Sequence, residues 1–130
     1  MLPALLFESL PLEVRQAFAT LWPSAIPAVP ELRRTISVHS SEVEKAALKN
    51  EFLDVTLSQG IAVAFERVLA SWEELDSDGR RTIGAAVAYY ALNEDAEDDL
   101  DSVLGFEDDA QVFNACARYI GRADLLIEIE

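Results

Sequence analysis

The chain has 130 residues and carries 24 acidic against 10 basic side chains, a formal charge of −14, with 51% of its residues hydrophobic. A chain of this length buries about two-thirds of its surface on folding, enough for one core and one domain. The hydrophobic content excludes general disorder, and the charge excludes direct binding to nucleic-acid phosphates or to anionic membrane surfaces, which need a basic face.

The prolines and glycines are segregated. All five prolines (3, 11, 23, 27, 30) lie in the first 30 residues and all five glycines (60, 79, 84, 105, 121) lie after residue 59. One hundred consecutive residues without proline leave helices free to run. A first short helix is predicted from Pro11, with Leu12, Ala17, Phe18 and Leu21 as its apolar stripe. Residues 22–30 read as an ordered loop that packs Trp22, Ile26 and Val29 on the core, so that 1–40 forms a proline-containing segment lying against the rest. Thr35-Ile-Ser-Val38 alternates like a strand but has no partner, and reads as extended linker.

Ser41 and Glu44 have capping-box spacing, which places a helix start there. Apolar residues then recur at helical spacing from Val43 to Leu75. A straight helix over 42–76 would be about 52 Å long, too long for a domain of about 14 Å radius of gyration. The spacing therefore predicts two helices folding back at Ser58-Gln-Gly60. Asp76-Ser-Asp-Gly79 is a stop and restart with a capping carboxylate. The next helix is predicted over 80–92, with Ile83, Val87, Tyr90 and Ala91 on one side and small residues at 84–86 and 88 for close helix approach. After an acidic stretch, Asp108 to Gln111 has capping-box spacing and opens a helix with Ala110, Phe113, Ala117 and Ile120 inward, ended by Gly121. Residues 124–130 read as a short helix or an extended tail. The expectation is an all-α, compact, single-domain bundle of five or six helices.

The charge is local. Residues 93–130 hold 12 acids against Arg118 and Arg122, a net −10, and nine of those acids fall within 94–109. Like charges at that density repel, unless a cation, a basic partner or outward splay relieves them.

The same stretch carries a motif. Tyr89-Tyr90, then Asp95, Asp99, Gly105-Phe106 and Asp108-Asp109 resemble the YkvA-like domain family, whose hallmark is a helix ending in Tyr followed by a Pro- and Asp-containing loop with a Gly-aromatic pair and a closing Asp pair. The resemblance spans about 80–110. The family's loop prolines are replaced by Asn93, Asp98 and Ser102. The resemblance implies a small helical domain without assigned biochemistry, and peripheral membrane association as in many relatives.

Two functional readings follow. In the first, the protein is a non-enzymatic binding protein of the toxin-neutralising, immunity or inhibitor type, whose acidic 94–109 segment docks a basic protein through Glu94, Glu97, Asp98, Asp101 and Glu107. In the second, Asp95, Asp99, Asp108 and Asp109 converge on Ca²⁺ or Mg²⁺, hard cations that take oxygen ligands, in a domain that is metal-stabilised or hydrolytic. The spacing is not that of an EF-hand, and the competing reading is that Asp108 caps its helix and Asp95 a short turn, with no cofactor expected beyond Ca²⁺ or Mg²⁺. No phosphate loop, Cys/His cluster or nucleophile motif is present, and no catalytic residue is assigned. His39 reads as a surface or packing residue of the linker.

Cys116 is the sole cysteine, so no intramolecular disulfide forms, which fits a reducing compartment. No positive charge precedes Arg15, and the longest uncharged stretch, 16–30, is interrupted by three prolines, so neither a leader nor a transmembrane segment is expected. A cytoplasmic location is the resulting expectation.

Overall fold

Five α-helices and no strand make up the regular structure among the described residues, which in the computed structural model are 10, 12–49, 55–91 and 107–127. The helices are α1 (Leu12–Thr20), α2 (Val29–Ala47), α3 (Val55–Ala70), α4 (Ser77–Tyr90) and α5 (Glu107–Tyr119), with 3-10 turns at Trp72–Glu74 and Ala123–Leu125. They pack as one bundle. α2 lies against α3 and α4, α5 lies against α3 and α4, and α1 covers α4.

α4 is the innermost element, because eight of its fourteen residues are buried, from Gly79 to Tyr90. Of the two aspartates available as caps, Asp76 is the N-cap, so the helix begins at Ser77, three residues before the expected 80; the Asp76 carboxylate accepts a 2.7 Å hydrogen bond from the Gly79 N–H. The cap satisfies an N–H that the first turn cannot. Replacing Asp76 with alanine is expected to lower stability by about 1 kcal/mol, read as a shift of the urea midpoint at unchanged slope. Within the helix, Thr82 is fully buried and its hydroxyl donates to the Asp78 carbonyl at 2.7 Å, so no polar atom is stranded there.

Small residues on α4 allow the N-terminal loop to approach. At Gly84 a side-chain Cβ would fall 2.7 Å from the Pro27 ring and 3.6 Å from Pro23. This contact seats the 21–28 connection on the bundle. Trp22 and Val29 are partly buried against the core, whereas Ile26, expected to pack, is exposed.

α2 corrects three sequence expectations. Residues 35–38 are helical rather than an extended linker, and Ser41 lies inside α2 instead of capping a new helix. His39 is not a linker residue but part of the buried stripe Leu32, Ile36, His39, Val43, spaced at four, three and four residues. Pro30 sits at the helix start, where its missing N–H is harmless. The β-branched residues at 35, 36 and 38 cost helix propensity, but a 19-residue helix with one face in the core is stabilised chiefly by packing.

The fold-back also lies elsewhere. α2 ends at Leu48, and α3 passes straight through Ser58-Gln-Gly60. Gly60 is on the exposed face, and a Cβ there would meet nothing within 4 Å. One solvent-facing glycine lowers helix propensity by about 1 kcal/mol, which the buried face of α3 offsets.

α5 begins by Glu107 in the described chain, so Asp108 is helical rather than an N-cap. Its end is a Schellman motif. Gly121 takes φ +80°, the Arg122 N–H donates to the Ala117 carbonyl at 2.7 Å, and the Gly121 N–H donates to Arg118 at 3.2 Å. The chain then returns along α5 through the 3-10 turn, the only regular structure described in the expected helix or tail.

Candidate functional site

Most of the predicted acidic site falls outside the described residues: Glu94, Asp95, Glu97, Asp98, Asp99 and Asp101 all lie there. Glu107 and Asp108 are in the first turn of α5. Asp109 is 8% exposed and turned into the core. Among the described residues, no group of three or more His, Cys, Asp or Glu side chains gathers as a metal site. Among the same residues, no helix is long and apolar enough to cross a membrane.

Asp109 adjoins a buried polar cluster that ties α2, α3 and α4 together. The Tyr90 phenol, at the end of α4, donates to the Ser58 carbonyl of α3 at 3.2 Å. It also lies 2.9 Å from the Ser58 hydroxyl and 3.4 Å from the Ser40 hydroxyl of α2. A phenol has one hydrogen, and the carbonyl can only accept, so the two serine hydroxyls are the donors to the phenol oxygen. The His39 ring stands edge-on to Tyr90 at 4.6 Å between centroids. Tyr90 then contacts Phe65 at 5.7 Å, and Phe65 meets Phe113 of α5 edge-to-face at 5.0 Å. Burial pushes the Tyr90 phenol above its ordinary pKa and the Asp109 carboxylate adds to this, against the opposing effect of the two serine hydrogen bonds. Tyr90 and Asp109 are both residues of the family-like motif, and here they come within electrostatic reach of one another.

This cluster is internal: Ser58 is 1% exposed, Tyr90 2% and His39 4%. Within it the Tyr90 phenol and the Ser58 and Ser40 hydroxyls are hydrogen-bonded to one another, a polar tie that fixes the relative setting of α2, α3 and α4. Cys116 is equally enclosed, and burial raises its thiol pKa far above the ordinary value, which removes the thiolate needed for nucleophilic work.

Exposed acidic residues also occur outside the predicted segment. Glu73, Glu74, Asp76 and Asp78 are all exposed at the junction of α3 and α4. The Tyr119 phenol beside them is raised in pKa, first by partial desolvation and then by the Asp78 and Asp76 carboxylates.

The opposite charge is found at the end of the chain. Arg122 holds Asp124 through Nε at 3.1 Å and a second nitrogen at 3.3 Å, and reaches the Ser71 hydroxyl at 2.7 Å. This pairing holds the Asp124 carboxyl below its usual pKa, with Arg67 contributing. A cleft of about 680 Å³ lies here, lined in part by Arg67, Ser71, Glu74, Arg122 and Asp124. Next to it, Asn114 of α5 clasps the C-terminal segment. Its amide donates to the Ile127 carbonyl at 2.8 Å and accepts from the Ile127 N–H at 2.7 Å.

Sequence reasoning allowed His39 a packing role but placed it in a linker, and it missed Asn114. Asn114 is a lone polar residue within the apolar run 112–117, and that is the available signal: such a residue, once buried, must find a partner. Comparison of the chain with family models, with curated proteins and with solved structures finds no match.

Proposed function

We propose that the protein is a non-enzymatic binding module of the toxin-neutralising or inhibitor type, whose acidic 94–109 segment docks on a basic protein partner. The observation that carries this reading is the charge distribution, a net −10 over residues 93–130. The four exposed acids at 73–78 support it by adding further exposed negative charge to the surface. The contact set is Glu94, Glu97, Asp98, Asp101 and Glu107, and Asp109, which is buried, is not part of it. A relation to the YkvA-like family is part of the proposal. The approach of Tyr90 to Asp109 supports it by giving two motif residues one shared place in the core. A cytoplasmic setting belongs to the same reading.

The test uses the full chain, immobilised, with basic proteins retained at low salt and identified by mass spectrometry. Association is then followed as the Debye length is reduced from about 30 Å to about 8 Å. The rate is expected to fall about tenfold or more, and to fall similarly for the triple substitution Glu97→Gln, Asp98→Asn, Asp101→Asn. Association insensitive to both changes rules the reading out.

A further inference from the structure

The clasp at Asn114 has the form of a binding site that already holds a ligand. Asn114 is 6% exposed, yet both ends of its amide are spent on one residue's main chain, the N–H and the carbonyl of Ile127. A side-chain amide used this way recognises an extended backbone regardless of its side chain, as a neighbouring strand would. Side-chain selection comes from either side of that residue. Leu125 is 7% exposed and Ile127 is half-buried, whereas Leu126 between them points outward. Preceding them, Asp124 answers Arg122 and lies in the field of Arg67. The resident pattern is thus acid, aliphatic, any residue, aliphatic.

The seat is larger than its occupant. A groove of about 360 Å³ runs beside 124–127, walled by Gln59, Gly60, Val63, Ala64 and Arg67 of α3. Val63 is 53% exposed along it, and the space above Gly60 is open. The occupant is also attached in a way that lets it leave. It follows Gly121, the residue at φ +80° that ends α5, and among the described residues Asn114 is the side chain from outside the segment that hydrogen-bonds its main chain.

We infer that Asn114 and the adjoining α3 groove form a receptor for a peptide segment of a partner protein, carrying the acid–aliphatic–x–aliphatic pattern with a turn at the acid and its first aliphatic, and that residues 124–127 are its resident, displaceable occupant. The partner is a different protein rather than a second copy, because two chains each at −14 repel at close approach. This site is separate from the acidic segment, and the two readings respond oppositely to salt. Docking of a basic partner weakens as salt rises, whereas an acidic peptide entering this acidic protein binds no more weakly.

The test uses the full chain and a fluorescein-labelled peptide of the chain's own last eight residues, Ala-Asp-Leu-Leu-Ile-Glu-Ile-Glu, followed by fluorescence anisotropy. Ile127→Pro removes the N–H that Asn114 accepts and vacates the seat. This variant is expected to bind the peptide about tenfold or more tightly than the wild type, a factor that corresponds to about 1.4 kcal/mol. A peptide N-methylated at its first isoleucine lacks the same N–H and is expected not to bind. On the wild-type protein, which does not depend on the variant folding, excess parent peptide is expected to accelerate hydrogen exchange at the Ile127 amide, and the N-methylated peptide to leave it unchanged. Equal binding by wild type and variant, equal binding of the two peptides, or an Ile127 amide indifferent to peptide each overturns the proposal. So does a variant that light scattering shows to dimerise, since the seat would then serve a second copy.

Discussion

Replacement of Phe113 by alanine is expected to lower the unfolding free energy by about 3–5 kcal/mol, a large fraction of the roughly 5–15 kcal/mol available to a domain. Phe113 is fully buried on α5, and its ring meets Phe65 of α3 at right angles. Phe65 in turn touches Tyr90, and Tyr90 the His39 ring, so a single aromatic file joins α5, α3, α4 and α2. Truncation removes one end of this file and leaves a void. The neighbours on α5, Val112 and Ala115 to Ala117, are themselves buried and have little room to close it. For a chain of this size the loss corresponds to a fall in melting temperature of about 10–15 °C, measurable by circular dichroism. A fall below about 3 °C would show that α5 is not seated in the core as described.

Gly84→Leu is expected to destabilise the protein by about 3 kcal/mol, even though leucine is the better helix former. The reason is steric. The new Cβ would sit 2.7 Å from the Pro27 Cγ and 3.3 Å from its Cδ, and a proline ring has no rotamer into which to withdraw. Either α4 or the 21–28 connection must move, and Trp22 and Phe18, whose rings lie 6.5 Å apart, move with it. Gly60→Ala is the matched control. It also replaces a helical glycine, but nothing stands within 4 Å of the new Cβ, so a gain of about 0.5–1 kcal/mol is expected. Denaturant melts that gave both substitutions the same sign would contradict the close approach of Pro27 to α4.

Local signals located those features whose cause is also local. The α1 start beside Pro11, the Asp76 cap and the Gly121 terminus each depend on a few neighbouring residues, and each is found within a residue or two of its expected place. The misreadings share one cause. Thr35 to Val38 alternates as a strand would, Ser41 and Glu44 have capping-box spacing, and Ser58-Gln-Gly60 has breaker composition, yet all three lie within helices. In each, packing of a buried stripe outweighs a preference of about 1 kcal/mol or less. The candidate site was legible as a concentration of charge and illegible in its inward half. Asp109 looks like its acidic neighbours in the sequence, and only the meeting of α5 with Tyr90 turns it toward the core.

By itself, then, the sequence determined the fold class, the charge asymmetry and the helix ends set by proline, aspartate and glycine, because composition and near-neighbour geometry are properties of the chain. Tertiary structure alone decided which polar residues are internal. His39, Ser58, Tyr90 and Asn114 are distant in sequence from the groups they meet, and a buried hydroxyl, ring or amide takes its role from whatever the other helices bring within about 3 Å of it.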